Sequence, residues 1–357
     1  MGRTKIDAGD PSNLSTPTQA GAITAGEKQR FWLGISISLV CIAFLASFTD
    51  WAQFWRALQL ADYGLIALAI LLSLVWLAVR SLVWRSLLQK RASFWLVFRA
   101  VNQGYLLNNL LPFRLGELGR AFLLSRKAQM RLFFVLSTIV LERTFDLLMA
   151  IVLVFSTLPF VVGVQWARQA AMGVAILVFG LLTSLWLVAH RPNILLGIFD
   201  FLQKRLPLLE RFGHTALEAF LQGLGTLTDW RRFWLASSLV ILNWAIGVLQ
   251  YYLYLRAFFP EAQFLWAIFG LGVISLGLAA PSSPASLGVA EMAAVGALSA
   301  FSANPSTALA FAVTAHLVQV LLTGVIGVLA LAQDGESLLN LYRQTRRLQK
   351  DRQVAGG

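Results

Sequence analysis

The sequence predicts an all-α polytopic membrane protein, with about six full spans and two helical hairpins broken by proline and glycine. Three observations carry that reading. First, 58% of the 357 residues are hydrophobic and 13% are charged, with a mean hydropathy of +0.70, whereas soluble domains carry roughly 25% charged residues. Second, apolar runs recur along the chain, several of them about 20 residues long, which is enough to cross a hydrocarbon core. Third, lysine and arginine are divided unequally between alternate connections, as the positive-inside rule requires.

The elements follow in order. Residues 1–30 are polar and rich in Ser, Thr, Gly and Pro, and read as a disordered cytoplasmic tail. The first apolar run, 31–49, starts too late and continues too long for a cleavable secretory signal. It holds the only cysteine, Cys41, so a disulfide framework is excluded. The second run is 62–84; Arg80, near its end, is expected to snorkel to the interface. The stretch 93–128 is an apolar helix leading to Pro112 and a shorter one leading away from Gly116. Runs 132–158 and 170–189 follow as full spans.

Residues 193–228 differ: Leu and Phe recur at helical spacing with Lys204, Arg205, Arg211 and Glu218 between them. This fits one or two amphipathic helices, broken near Pro207, on the cytoplasmic membrane surface, or equally a helical hairpin packed on the membrane domain. A span at 234–256 leads to a second broken segment, 264–302, interrupted at Pro281-Ser282-Ser283-Pro284 and resuming from Gly288. The last span, 307–332, carries Thr314, His316 and Gln319, and residues 333–357 form a basic cytoplasmic tail. The transmembrane domain is thus 31–332.

With the N-terminus in the cytoplasm, 25 of the 29 Lys and Arg residues fall on the cytoplasmic side and three, Arg56, Arg168 and Arg256, on the other. Arg143 lies inside a span. Both termini are therefore expected in the cytoplasm, in the plasma (inner) membrane. The net charge of +12 sits at span boundaries, which suits anionic headgroups and gives no reason to expect nucleic acid. Trp51, Trp55, Trp84, Trp166, Trp230 and Trp234 fall at span ends, where indole rings prefer the interface.

Charges and helix breakers at membrane depth persist mainly where they line a cavity or a substrate path. Two segments qualify. In the first, Pro112 is followed by Gly116 and Glu117, with Arg114 and Arg120 beside them; in the second, Pro284 is followed by Gly288 and then Glu291. The first unit starts from the cytoplasmic side and the second from the opposite side. Interrupted segments entering from opposite faces mark a candidate inverted repeat, with a binding site near the midplane. In the span after the first break, Glu142 and Asp146 share a helical face and Arg143 meets Asp146 at i, i+3. These charges form either a buried ion-pair network that clips helices together or a polar cavity for an amphiphilic ligand. Arginine suits phosphate oxygens, helix N-termini attract anions, and the carboxylates could hold the arginines, receive an amine or carry protons.

Several chemistries lack their residues. There is no G-x-x-x-x-G-K-[ST] for ATP and no H-E-x-x-H, and His190, His214 and His316 make no metal-ligand pattern. No cofactor or metal is expected. About 25 residues follow the last span, too few for a soluble catalytic domain.

The run Asn109-Leu110-Leu111-Pro112-Phe113-Arg114-Leu115-Gly116-Glu117-Leu118-Gly119-Arg120 resembles the N-x-x-P-x-R-x-G-E-x-x-R signature of the lysylphosphatidylglycerol synthase transmembrane region family, the flippase-like domain proteins. Glu142-Arg143-Thr144-Phe145-Asp146 is similar to its E-R-x-x-D segment, and 284–291 to its P-x-x-x-G-x-x-E segment. Phe113 and the pair Ala285 and Ser286 stand where the family has glycines, and His316 where it has a basic residue, often arginine. The resemblance implies a membrane domain that binds and flips phospholipids or related lipids, without the soluble synthase domain and so without aminoacyl transfer. The expected lipid-binding residues are Asn109, Arg114, Glu117, Arg120, Glu142, Arg143, Asp146, Glu291 and His316.

The expected partners are anionic, zwitterionic or aminoacylated phospholipids, a second copy of the chain, and a separate lipid-synthesising enzyme. The leading expectation is a non-enzymatic flippase or scramblase. Two alternatives stand beside it: a membrane-embedded lipid-modifying enzyme using a carboxylate such as Glu117 as base, and a non-catalytic membrane assembly partner.

Overall fold

A computed structural model describes residues 25–111, 115–162, scattered positions between 169 and 191, 213–278 and 283–335. Within them all regular structure is helical. The helices are α1 (Ala25–Phe48), α2 (Trp51–Leu60), α3 (Tyr63–Leu87), α4 (Phe94–Leu110), α5 (Gly116–Lys127), α6 (Leu132–Val162), α7 (Gly213–Gly223), α8 (Trp230–Phe258), α9 (Phe264–Gly277), α10 (Val289–Ser299) and α11 (Pro305–Gln333). Short 3-10 turns lie at Leu224–Thr226 and Pro284–Ser286.

Helix starts follow local chemistry. Asp50, Asp62, Asp229 and Asn304 each accept hydrogen bonds from two backbone N–H groups of the first turn of α2, α3, α8 and α11. Ser93 accepts one at the start of α4. Such caps satisfy donors that have no partner within the helix.

Four described helices, α3, α6, α8 and α11, are long and apolar enough to cross a membrane. Helix α1 joins α2 through a 90° bend, and the pair counts as a fifth span if taken together. The chain is therefore a multi-pass membrane protein. Of the six expected spans, 170–189 lies largely outside the described residues. The connection expected at 50–62 proves to be helical: Asp50 caps it, Phe54 is buried, and Trp51, Trp55 and Leu60 are exposed. It packs against α11.

The broken segments are helical hairpins. Their arms are 17 and 12 residues in α4 and α5, and 14 and 11 in α9 and α10. At 1.5 Å per residue the second arms reach only ~18 and ~17 Å, short of a hydrocarbon core of roughly 30 Å. By length the second arms fall short of a full crossing. The first hairpin is closed by a backbone approach that only glycine permits: a Cβ on Gly116 would lie 2.0 Å from the Gly104 carbonyl oxygen. Asn108 Oδ1 accepts the Gly116 N–H at 2.9 Å, so the side chain before the break stitches the helix after it.

The two units exchange partners. Helix α3 packs on α8; α4 packs on α11, and in the same manner α9 packs on α6. With α3 to α6 set against α8 to α11, this is the pattern that a two-fold relation between units produces. The turn at Pro284–Ser286 also touches α4, so the tip of the second hairpin meets the first. In the 193–228 connection, 193–212 lies outside the described residues, while α7 packs on α6 and buries Ala219.

Candidate functional site

The polar centre is assembled from α3, α5 and α6. Glu142 on α6 is buried and faces three guanidinium groups: Arg120 Nη2 at 3.0 Å, Arg143 Nη2 at 2.8 Å, and Arg80 in closer contact. Asp146, one turn on, takes both arms of Arg80 at 2.7 and 2.5 Å, the planar fork pairing with both carboxylate oxygens. It also pairs with Arg143 at 3.2 Å and accepts from the Trp244 indole N–H at 3.4 Å. Arg120 lies 4.5 Å from the centroid of the Trp84 ring, a cation–π contact strengthened by desolvation. Glu117, in the first turn of α5, comes within 3.5 Å of Arg143 Nε.

Two readings of single residues are corrected by this arrangement. Arg80 does not snorkel: its side chain is buried and closed by Asp146 and Glu142. Trp84 does not present its ring at the surface as a belt residue would; it is fully buried and donates to Thr138 Oγ1 at 3.1 Å. Both sit near the end of an apolar run, where the interface is the ordinary destination, and both are drawn inward by carboxylates and a hydroxyl on α6. Trp51, Trp55, Trp230 and Trp234 are exposed. Trp166 lies outside the described residues.

A cavity of about 790 Å³ lies between the hairpin tips. Its charged wall is formed by Arg80, Glu117, Arg120, Arg143 and Asp146. Val101, Leu147, Ala150, Leu271, Ile274 and Val320 supply apolar surface, and Trp76, Tyr105 and Trp244 supply aromatic faces. Leu111 from one tip and Ser283, Ala285 and Ser286 from the other complete it.

The far side carries a second, smaller pair. Glu291 Oε1 lies 2.5 Å from His316 Nδ1 on α11, while Glu291 Oε2 accepts the Gly288 N–H at 2.7 Å. Glu291 thus caps the start of α10 and clips it to α11. Gly288 has φ +81°, and a Cβ there would lie 2.7 Å from the Ser38 carbonyl oxygen of α1. Ala285 and Ser286, at the positions that resemble glycines of the family pattern, hold φ values of 55° and 58°. This left-handed backbone suits glycine and costs other residues roughly 1–2 kcal/mol each.

Of the expected site residues, Glu117, Arg120, Glu142, Arg143 and Asp146 form one network. Glu291 and His316 form the second pair. Asn109 lines the cavity and donates to the Val320 carbonyl at 3.2 Å and to Thr323 Oγ1 at 3.0 Å, tying α4 to α11. Arg114 lies outside the described residues. Sequence reasoning missed the roles of Arg80, Trp84 and Trp244, whose partners are far away in the chain.

A family model described as the lysylphosphatidylglycerol synthase TM region matches residues 31–327. No curated protein and no solved structure matches the chain.

Proposed function

Because this chain belongs to the lysylphosphatidylglycerol synthase TM region family, we propose that it moves a phospholipid or related amphiphilic lipid between the leaflets of the plasma (inner) membrane, as a flippase or scramblase. The observation that carries the reading is the cavity between the two hairpin tips, with charged groups on one wall and apolar surface beside it. A lipid headgroup crossing bare hydrocarbon loses its hydration without compensation. In this cavity guanidinium and carboxylate groups replace the lost water, and acyl chains keep an apolar path. The arginines offer phosphate oxygens a matching fork.

The activity proposed is transport, with membrane lipids as partners and both termini in the cytoplasm. The charge asymmetry supports that orientation. An aminoacylated lipid would be supplied by a separate lipid-synthesising enzyme, and the protein can work as a homo-oligomer.

The test is leaflet exchange of labelled phospholipids in vesicles containing the purified protein, with and without ion gradients. Movement above that of protein-free vesicles is expected, and Arg143→Gln should slow it far more than it lowers folded yield. No movement under any gradient overturns the reading. Equal loss of movement and of folded yield would assign the network to helix clipping, and chemically altered lipid would assign the protein to enzymes.

A further inference from the structure

With α3 to α6 set against α8 to α11, α5 corresponds to α10 and α6 to α11. The ionic links within these two helix pairs differ in chemistry. In the first unit α5 is joined to α6 by arginines, Arg120 to Glu142 at 3.0 Å and Arg143 to Glu117 at 3.5 Å. In the second unit Glu291 of α10 meets His316 of α11 at 2.5 Å. Arginine keeps its charge at any physiological pH, whereas histidine ordinarily gains or loses its charge between about pH 5 and 8.

The two hairpins also differ in how else they are held. The first is tied to α11 by Asn109, which donates to the Val320 carbonyl and Thr323 Oγ1, and by Asp334, which pairs with Arg99 and Lys127. From α10, among the described residues, the contact with His316 is the single side-chain hydrogen bond or ion pair to another helix. The rest of its buried face is Ala290, Ala294, Ala297 and Leu298, and apolar packing of that kind is non-directional. The turn leading into α10 holds Ala285, Ser286 and Gly288 at φ 55°, 58° and 81°, a conformation the first two adopt only at a cost.

His316 lines the cavity and its side chain is 17% exposed, so its proton can exchange with water there. The elements packed on α10 and α11 bring Tyr105 from α4, Tyr251 and Tyr254 from α8, and Cys41 from α1 beside Gly288 to this side; α9 has no titratable residue, and Arg56 of α2 is not in the cavity wall. Across the cavity, Glu117 and Asp146 are held by arginines. Histidine is the one type among these whose charge ordinarily changes within that range. With the ring charged, its bond to Glu291 is charge-assisted at both ends; with the ring neutral, Nδ1–H donates as an uncharged group and the bond is weaker. The contact is therefore strongest at low pH and weakens as pH rises and the proton leaves.

We propose that Glu291 and His316 form a proton-binding site that latches the second hairpin: with the proton bound α10 is fixed to α11, and with it released to the cavity α10 and the tip before it are free to shift. That tip lines the cavity through Ser283, Ala285 and Ser286 and touches α4, so the shift alters the cavity wall. The inference concerns the scaffold and stands whether or not the protein moves lipid.

The experiment uses the full chain in detergent, with Cys41→Ser and spin labels at Gly296→Cys on α10 and Gly324→Cys on α11, two positions where an added side chain meets nothing within 4 Å. Distances between the labels are read from about pH 5 to about pH 9. One narrow distribution is expected at the acid end, and a second population should grow in toward the alkaline end along a one-proton titration. His316→Gln should show the mixed distribution throughout, and His316→Arg, a permanent cation, the narrow one throughout. A distribution that does not change with pH when the Glu291–His316 pair is intact, or one that responds equally in His316→Gln, overturns the proposal. The titration with the pair intact needs no substitution at either residue, so a variant that fails to fold leaves the test in force. Leaflet exchange plays no part in this readout, so failure of the latch and failure of the translocation reading are separate results.

Discussion

Replacing Glu142 by Gln removes the carboxylate on which three guanidinium groups converge. The cost can be apportioned from the contacts. Arg80 keeps both bonds to Asp146, at 2.7 and 2.5 Å, and Arg143 keeps Asp146 at 3.2 Å. Arg120 has no second carboxylate in the network and is left on the Trp84 ring at 4.5 Å, a contact it makes in either case. One buried arginine thus loses its counter-charge, which costs about 3–5 kcal/mol. The amide oxygen of Gln returns about 1 kcal/mol as a neutral hydrogen-bond acceptor. The double variant Arg120→Gln, Glu142→Gln removes charge and counter-charge together and should be more stable than Glu142→Gln alone, with a coupling of about 1–3 kcal/mol. Asp146→Asn should cost less, since Glu142 still serves all three cations. Equilibrium unfolding of the purified protein in mild detergent measures each value. Strict additivity of the two substitutions, or a Glu142→Gln protein within about 0.5 kcal/mol of wild type, would refute the reasoning.

Other changes test the scaffold. Gly116→Ala places a methyl 2.0 Å from the Gly104 carbonyl oxygen and should lose at least about 1–3 kcal/mol, whereas Gly296→Ala on α10 meets nothing within 4 Å and should be tolerated; thermal unfolding separates them. Ala285→Gly relieves a left-handed residue at φ 55° and should raise stability by about 1 kcal/mol after the entropy of glycine is counted; a lower melting temperature would show that the turn needs its methyl group. Asp334, at the end of α11, pairs with Arg99 at 3.0 Å and Lys127 at 2.7 Å and accepts from Gln103 at 2.6 Å. Asp334→Asn should loosen the mouth of the first hairpin, read as faster amide exchange at the start of α4 and the end of α5 with α8 unchanged.

What could be read in the sequence depended on whether the signal was local. Glu142, Arg143 and Asp146 stood out because three charges interrupt an apolar run and their spacing puts them within reach of one another. Pro112 and Gly116 announced a break because each acts on its own backbone. The partners were hidden. Arg80 obeys the ordinary rule for a cation near a span end, and only Asp146, 66 positions later, draws it inward. Trp84 was misplaced for the same reason, its hydroxyl partner Thr138 being 54 positions away. The helix at Trp51–Leu60 read as a connection because it is short and mixed, although Asp50 supplied its capping signal. The left-handed residues Ala285 and Ser286 could be suspected only from the glycines that the family pattern places there.

The pairing of Arg80 has a consequence for biogenesis. Helix α3 is synthesised before α6, so its arginine enters the insertion machinery with no carboxylate yet made to receive it. The helix is hydrophobic enough to insert regardless, with a hydropathy of 2.4 over its best window. A lone arginine at membrane depth costs about 2.5–3.5 kcal/mol on insertion scales, and reaching for the headgroups avoids most of that. Until α6 is made, neither Glu142 nor Asp146 is there to offset that cost. The pairing can form only after α6 is made, which ties completion of the first unit to the later helix.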